Sequence, residues 1–564
     1  MVLKLSEQGV EAEKQMRAVI FYLTTFGYID GDFDDREQDF VRDYIRRLVE
    51  QRVDGAIDAA DQALRAELVG KYTTHFHEVF EAINAQVRDL FTESVATGED
   101  PKAFVHAKLK LRCFEIFKAF DAAGQEVLLD AIDELVRADG QVHPAEVEFR
   151  AEIAGLLEAD LGIELIDEPT ARDAVAVESA CALPPGAEDH PFLQSLEFNY
   201  SAAPERLRAQ VAQDRALLDR VMEILARMRA AGAGRLAGKT NVAELTGGGP
   251  FLDGHVHVCP AEPGRHYELT VLGDLHGCYS CLKAALMQSR FFDKVAAFKA
   301  DPLHHPDPKL VLLGDYIDRG MFSYQGVLRA ALQVFAAAPE HVFLLRGNHE
   351  YYLAHEGQVY GGVRPAEAIN TLRPHLPFEV FEHYMRLFDA LPNLLLFERF
   401  LFVHGGIPRD SLVKERFRDL SSLNDPDLRF QMLWSDPSLA DVIPAALQNQ
   451  SARFPFGRLQ ALAFLQRLGC HTLVRGHEKV NEGFRRVYDD DNQLVISLFS
   501  AGGEHNDDLP ADSSYRSVTP MAMTLRFHGG PSEIVPWRIE YEAYNDPSRN
   551  AFFRSKPEIE HRVG

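Results

Sequence analysis

The chain has 564 residues, and 46% of them are hydrophobic, which is enough apolar material for two or more globular domains. Its formal net charge of −26 argues against a nucleic acid or an anionic membrane as the main partner. The six cysteines form no dense disulfide framework, and the first residues turn acidic before a signal peptide could form. We therefore expect a soluble, cytoplasmic protein without disulfides.

The amino-terminal part of the chain has the composition of a helical bundle. Residues 10–160 are rich in Ala, Leu, Glu, Arg and Gln, and apolar residues recur at spacings of three and four. This pattern predicts an all-α domain, which we place at residues 1–165.

Two similar Asp-Gly segments, at residues 30–37 and 139–146, lie between predicted helices. We interpret them as helix boundaries, because Asp34 can begin the next helix and Glu37 can complete a capping box. A calcium loop is rejected, since the turn glycine and the closing glutamate are absent. The Asp-Gly-x5-Glu pattern resembles that of the TerB-like helical domains, which implies a regulatory or partner-binding role for this region.

We interpret residues 166–250 as a linker that contains one long amphipathic helix, at 204–229. The glycine-rich stretch 233–240 satisfies a relaxed P-loop pattern. It lacks the buried strand before it and the helix after it that a P-loop needs. We therefore do not expect a nucleotide there.

Beyond residue 265, short apolar runs alternate with helical stretches, which predicts an α/β catalytic domain at 251–540 and a carboxy-terminal tail at 541–564. Nearly every one of five polar motifs begins where such a run ends. The five motifs are Gly273–Gly277, Gly314–Gly320, Gly347–Glu350, His404–Gly406 and Arg475–His477. Open α/β sheets bind ligands at the carboxyl ends of their strands, so we expect the motifs to meet at one site.

The motifs supply carboxylates, an amide oxygen and imidazoles, which are the donors that hold divalent metals. The predicted metal ligands are Asp274, His276, Asp315, Asn348, His404 and His477. Asp315 has two oxygens that can each bind a different ion, so we expect it to bridge two metals. The pattern predicts a two-metal hydrolase.

Three further residues indicate phosphoryl transfer. Arg319 can bind phosphate oxygens bidentately, and Asn348 is a second expected phosphate contact. His349 is free to protonate the leaving alkoxide, and Asp318 is its expected orienting partner.

Residues 265–510 resemble the PPP family of metal-dependent serine/threonine protein phosphatases, within the calcineurin-like metallophosphoesterases. Besides the metal motifs, the resemblance rests on the segments 345–350, 378–392, 433–437 and 498–501. It implies a β-sandwich flanked by helices and two divalent ions, Mn²⁺ or an Fe/Zn pair. It also implies direct attack on phosphoserine or phosphothreonine by a hydroxide that bridges the ions, without a phosphoenzyme. The expected partners are phosphoprotein substrates, and a protein that binds the helical region.

Three features of the sequence bear on selectivity. Family members carry a second phosphate-binding arginine before a Phe-Gly pair, for which we choose Arg453, with Arg458 as the alternative. The family's tyrosine-containing loop after Phe-Ser-Ala is replaced here by Gly502–Glu504, so that tyrosine is missing. Residues Arg475–Glu478 look like those of bacterial members, some of which accept phosphotyrosine or small phosphoesters. A small-molecule phosphoesterase, such as a dinucleoside polyphosphate hydrolase, is the alternative function.

Overall fold

The computed structural model describes residues 3–562 except for 4, 7, 30–32, 56–61, 92–94, 119, 136, 138–143, 159–170 and 185–188. The chain divides into two compact units, which are described separately. The helical unit comprises residues 1–162 and a second segment, 438–451, and the sandwich unit comprises residues 163–437 and 452–564.

The helical unit confirms the all-α prediction for the amino-terminal region. Its helices are α1 (Gly9–Gly27), α2 (Asp35–Asp54), α3 (Gln62–Leu90), α4 (Pro101–Lys118), α5 (Ala122–Leu135) and α6 (Pro144–Glu158), and β1 is Val95–Ala96. Their apolar faces enclose one core, which includes Ile20, Leu48, Phe80, Phe114 and Ile132.

The predicted capping box is present at the start of α2. The Asp34 carboxylate accepts hydrogen bonds from the amides of Arg36 and Glu37, both at 2.8 Å, and Glu37 accepts one from the Asp34 amide at 2.9 Å. The Asp-Gly pairs of both repeats lie outside the described residues, so the proposed boundary at 139–143 stays a prediction.

The sandwich unit contains two main sheets. Its strands are β2 (Val175–Val177), β3 (Phe251–Asp253), β4 (Val256–Cys259), β5 (Tyr267–Leu272), β6 (Asp307–Leu312), β7 (Val342–Leu344), β8 (Tyr352–His355), β9 (Gln358–Gly361), β10 (Val363–Arg364), β11 (Leu394–Phe397), β12 (Phe400–Val403), β13 (Asp436–Pro437), β14 (Pro455–Phe456), β15 (Thr472–Arg475), β16 (Phe484–Asp489), β17 (Leu494–Leu498), β18 (Met521–Phe527) and β19 (Ser532–Arg538). One sheet has the order β16-β17-β15-β12-β11-β4-β3 and the other β2-β19-β18-β5-β6-β7.

The two sheets pack face to face through apolar side chains from both, among them Val271, Val311, Phe402, Val474 and Ile496. The outer faces of the central parallel strands are buried as well, since Leu272 and Leu312 belong to a second core that includes the flanking helices. Burial on both faces explains why these strands are continuous apolar runs in the sequence. The predicted β-sandwich flanked by helices is confirmed.

The remaining helices of the chain are α7 (Pro191–Gln194), α8 (Pro204–Gly232), α9 (Tyr279–Gln288), α10 (Phe291–Ala300), α11 (Arg329–Ala337), α12 (Glu367–Leu372), α13 (Phe378–Ala390), α14 (Asp410–Arg416), α15 (Pro426–Trp434), α16 (Ala445–Gln448) and α17 (Arg458–Leu468). The long helix expected within the linker is α8, and its apolar face, with Leu218 and Val221, packs into the sandwich unit. Residues Tyr541 and Phe552, from the expected tail, lie in the same core. No helix among the described residues is both long and apolar enough to cross a membrane.

Candidate metal centre

The five motifs follow strands that are neighbours in the two sheets. Asp274, Asp315 and Asn348 come after the parallel strands β5, β6 and β7, in that order across the sheet. His404 and His477 follow β12 and β15, which are parallel neighbours in the other sheet. The carboxyl ends of these strands bring all five motifs to one buried cluster.

Asp315 lies at the centre of this cluster. Its Oδ2 is 3.4 Å from His276 Nε2, and its Oδ1 is 3.4 Å from His404 Nε2. Two groups of donor atoms, each within 4.8 Å of one another, therefore share Asp315: one adds His276 and His349, and the other adds His404 and His477. From the sequence, His349 was expected to act only as the catalytic acid. The structure also places it in the first group of donor atoms.

The histidine tautomers leave lone pairs directed at the cluster. His276 Nδ1 contacts the carbonyl oxygen of Ile317 at 3.0 Å, and His404 Nδ1 contacts that of Leu313 at 3.1 Å. A carbonyl oxygen can only accept, so Nδ1 carries the proton in each neutral ring and Nε2 is free to bind a cation.

The amide of Asn348 closes the second group of donors. It lies 2.9 Å from His404 Nε2 and 3.2 Å from His477 Nδ1, and the Asp315 carboxylate is also at 3.2 Å. Either end of this amide can face the cluster: the amino group can donate to the Asp315 carboxylate, and the oxygen can bind a divalent cation, which carboxylates and imidazoles also favour.

Burial makes the charged form of the carboxylates in this cluster unfavourable unless a positive ion neutralises them. All six predicted ligands are at most 7% exposed, and within the described part of the chain Asp274 Oδ2 and His477 Nε2 have no hydrogen-bond partner. Desolvation raises the pKa of Asp274 to about 7 and also raises that of Asp315. It lowers the pKa of His276 and of His477 well below the usual value. Neutral imidazoles and buried carboxylates are the state from which a metal binds, so the donor set fits divalent cations.

The backbone at the site is held in strained conformations. Within the described chain, five of the eight non-glycine residues with positive φ are site residues: His276, Asp315, Asp318, Arg319 and His477. Such conformations cost about 1–3 kcal/mol each and persist where surrounding contacts enforce them. Gly347 is required for a related reason, because a Cβ there would lie 2.1 Å from Asp315 Oδ1.

Glu350 connects two of the motifs and enforces this geometry. Its carboxylate accepts hydrogen bonds from the amides of Asp315 at 2.8 Å, Tyr316 at 2.9 Å and Gly347 at 3.0 Å. The sequence contains Glu350 in a motif, but two of these amides, those of Asp315 and Tyr316, are 35 and 34 residues away along the chain, and no local pattern reveals that contact.

The predicted pair of His349 and Asp318 is in contact. His349 Nδ1 lies 2.7 Å from Asp318 Oδ2, and Asp318 Oδ1 accepts a hydrogen bond from the amide of Ala368 at 2.8 Å. Burial raises the pKa of Asp318 to about 6. Burial, together with the positive charge of Arg319, lowers the pKa of His349 well below its usual value.

Arg319 is held beside the cluster by residues that the sequence did not single out. Its Nη1 donates to Glu367 Oε1 at 2.7 Å. Burial alone would lower its pKa, but the carboxylates of Glu367 and Asp318 raise it, so the guanidinium stays charged. The ring of Tyr515 lies 5.3 Å from that of His276. A tyrosine is therefore present at the site, although it comes from a later segment than the family loop in which it was missing.

The two candidate second arginines have different surroundings. Arg453 Nε donates to Asp436 Oδ2 at 2.6 Å, and its charge contributes to the lowered pKa of both His349 and His477. Arg458 lies at the start of α17, where it contacts Asp490 at 3.2 Å. Asp436 also contacts Arg475 at 2.7 Å, so one carboxylate holds two arginines.

Comparison with known families identifies the part of the chain that carries these motifs. Residues 267–481 match the calcineurin-like phosphoesterase family. The match spans the five motifs and the strands that position them, so the predicted fold class is confirmed for this domain.

Individual relatives are phosphatases. A probable serine/threonine-protein phosphatase of Encephalitozoon cuniculi is 28% identical over 273 residues, which are 48% of this chain and 52% of that protein. The chain thus spans about half the length of this curated relative. Among solved structures, a protein serine/threonine phosphatase from Saccharomyces cerevisiae with similarity to human phosphatase PP5 has a TM-score of 0.37 at 17% identity, covering 58% of this chain and 89% of that one. A cold-active protein-tyrosine phosphatase of a psychrophilic Shewanella has a TM-score of 0.29 at 17% identity, covering 50% and 82%.

Proposed function

We propose that this protein is a metal-dependent phosphoprotein phosphatase of the PPP type. The proposal starts from the match of residues 267–481 to the calcineurin-like phosphoesterase family. The protein's substrates are phosphoserine and phosphothreonine monoesters, with phosphotyrosine as a further class. The observation that carries the proposal is the buried donor cluster around Asp315, which lies in direct contact with the pair of His349 and Asp318.

Two divalent cations would be held by the predicted ligands. Asp274, His276 and Asp315 are the donors for one ion; the second takes Asp315, Asn348, His404 and His477. The mixture of carboxylate, amide and imidazole donors suits Mn²⁺, which we propose as the native metal, as well as iron and zinc. When bound, such ions lower the pKa of a water molecule and neutralise charge on phosphoryl oxygens.

His349 supplies the proton that the leaving group needs. Asp318 holds its Nδ1, so Nε2 is the nitrogen that can deliver a proton to the seryl or threonyl oxygen as the P–O bond breaks. Burial and Arg319 lower the pKa of His349, which makes its protonated form a stronger acid, while the Asp318 carboxylate stabilises that form. Within the pair, His349 is therefore the acid, and Asp318 orients its ring.

Arg319 and Arg453 bind the phosphate. The positive charges of both arginines lower the pKa of His349. Each guanidinium is oriented by a carboxylate, that of Arg319 by Glu367 and that of Arg453 by Asp436. A guanidinium held by one edge can still offer hydrogen bonds to phosphate oxygens from the other. The arrangement favours a phosphomonoester dianion over an uncharged ester.

We also propose a regulatory role for the helical unit. Its Asp-Gly-x5-Glu pattern is the basis for proposing a TerB-like domain that binds a protein partner or controls access to the site. A cytoplasmic location is proposed with it, since all six cysteines are unpaired, as in a reducing compartment.

Substrate preference tests the proposal against the small-molecule alternative. The Mn²⁺-loaded protein is assayed with phosphoserine, phosphothreonine and phosphotyrosine peptides and with diadenosine tetraphosphate. We expect the highest kcat/KM on a phosphoserine or phosphothreonine peptide. A clear preference for the dinucleotide would instead assign the site to small-molecule hydrolysis.

A further inference from the structure

The chain leaves the sandwich unit after residue 437 and returns to it at residue 452. Residues 438–451, which we call the tether, belong to the compact helical unit, although the residues on both sides of them belong to the sandwich unit. The chain therefore passes between the two units at both ends of the tether as well as once after residue 162.

Contacts within the helical unit hold the tether at its first residues. The side chain of Ser438 donates to Glu115 Oε1 at 2.5 Å, and the amide of Leu439 donates to the same oxygen at 2.9 Å. Glu115 lies in α4, is 8% exposed, and pairs through its other oxygen with Arg112 at 2.9 Å. Further along the tether, Ile443 and Leu447 are 2% and 4% exposed in the core of the helical unit.

The residues that flank the tether belong to the sandwich unit and contact each other. Asp436, two residues before the tether begins, accepts the 2.6 Å hydrogen bond from Arg453, two residues after it ends. The strands β13 and β14 pair beside them, with Asp436 opposite Pro455. Two residues of extended chain span at most about 7 Å, so each end of the tether constrains one member of this pair.

We propose that Glu115 is a positioning residue for the phosphate-binding arginine Arg453. It anchors the tether to α4, and Asp436 and Arg453 lie two residues outside the two ends of the tether. A change in the helical unit at α4, such as the binding of a partner protein, alters the orientation of Arg453 and with it the affinity for phosphate. The inference rests on the proposed function, in which Arg453 contacts the phosphate of the substrate.

The test compares full-length variants by calorimetric titration with inorganic phosphate and by peptide kinetics. Glu115→Ala should raise the dissociation constant for phosphate roughly three- to tenfold, the range expected for a residue that acts through another. The KM for a phosphothreonine peptide should rise by the same factor while kcat stays unchanged. Glu115→Gln keeps a side-chain oxygen for Ser438 and Leu439, and it should restore most of the affinity.

Glu37→Ala is the matched control, because Glu37 is 7% exposed in the same unit but contacts the start of α2. It should lower the thermal stability of the helical unit without changing phosphate affinity. If Glu115→Ala does not fold, Ser438→Ala should give a smaller rise in the same direction. Unchanged phosphate affinity in the folded Glu115→Ala or Ser438→Ala variant, or an equal change in Glu37→Ala, would overturn the inference.

Failure of this inference can be distinguished from failure of the proposed function. If the native protein hydrolyses phosphopeptides but phosphate binding is insensitive to Glu115, only the positioning role is wrong. If phosphate binding depends on Glu115 but no phosphoester is hydrolysed, the positioning role stands and the proposed function is wrong.

Discussion

Asp318 Oδ2 lies 2.7 Å from Nδ1 of His349, and both side chains are at most 3% exposed. The contact holds one nitrogen of the imidazole ring and leaves the other to face the donor cluster, where Nε2 is 3.9 Å from Asp315 Oδ2. A carboxylate so placed both orients the ring and stabilises its protonated form.

Replacing His349 with Ala should therefore affect substrates according to their leaving groups. A seryl alkoxide needs a proton, so kcat for a phosphoserine peptide should fall by about 10²–10⁴-fold, as expected on loss of a general acid. p-Nitrophenolate leaves without one, so kcat for p-nitrophenyl phosphate should fall much less. Asp318→Asn should show the same selectivity with a smaller loss. Equal losses on both substrates would contradict the role of acid.

Replacing Arg453 with Lys should weaken phosphate binding. Lysine keeps the charge but loses the planar guanidinium, which contacts Asp436 while offering further donors to phosphate. We expect KM for a phosphopeptide and the inhibition constant of phosphate to rise by about tenfold, the cost of roughly one charged hydrogen bond. Arg458→Lys is the control, since Arg458 contacts Asp490, and it should behave as the native protein. A larger effect at Arg458 would reverse the assignment of the two arginines.

Replacing Asp315 with Asn should reduce binding of both metals, because its two oxygens face different donor groups. Metal content after dialysis against Mn²⁺, measured by elemental analysis, should fall from about two ions per chain, the number of a two-metal site, to below one. Asp508→Asn removes another buried carboxylate, one that accepts from Ser280, and should keep the full metal content. Loss of a single ion in Asp315→Asn would show that the residue does not bridge.

The ion cluster at Asp307 makes stability depend on pH. Burial alone would raise the pKa of Asp307, but His341, Lys309 and Arg265 outweigh it and lower the pKa to about 2. Because the folded pKa is depressed, the stabilisation is present above the unfolded pKa of about 4 and is lost as the pH falls toward 2. Asp307→Asn should therefore cost roughly 2 kcal/mol in unfolding free energy at pH 7, and the difference should shrink between pH 4 and pH 2.

Urea unfolding at several pH values measures this effect. Asp293→Asn is the control, because Asp293 forms an exposed pair with Arg290 and should change stability little at any pH. A constant difference between the native protein and Asp307→Asn across the pH range would contradict the assignment of the stabilisation to this ion cluster.

The convergence of the candidate metal ligands was largely predictable from the sequence, because each of them comes soon after an apolar run that forms a strand. Strand ends in an α/β sheet converge by topology, so residues far apart in sequence, such as Asp274 and His477, could be expected together. The pairing of His349 with Asp318 was predicted on chemical grounds, because a carboxylate can orient and charge the imidazole of a general acid.

The residues that support the site could not be predicted, since their roles depend on tertiary contacts. Glu350 accepts from three amides in two motifs, and Glu367 reaches Arg319 from the first turn of α12. Tyr515 comes from a segment without any recognisable motif. No local pattern assigns the tether to either unit, and only the three-dimensional packing of Ile443 and Leu447 places it in the helical unit.

Phosphate release from a phosphothreonine peptide, measured as Mn²⁺ is titrated into chelator-treated full-length protein, is the decisive measurement of metal-dependent phosphatase activity. We expect no release from the metal-free protein, a rise in kcat that saturates at about two ions per chain, as in two-metal hydrolases, and loss of activity when chelator is added again. Release that is indifferent to chelator, or no release with two ions bound, would contradict a metal-dependent phosphoprotein phosphatase.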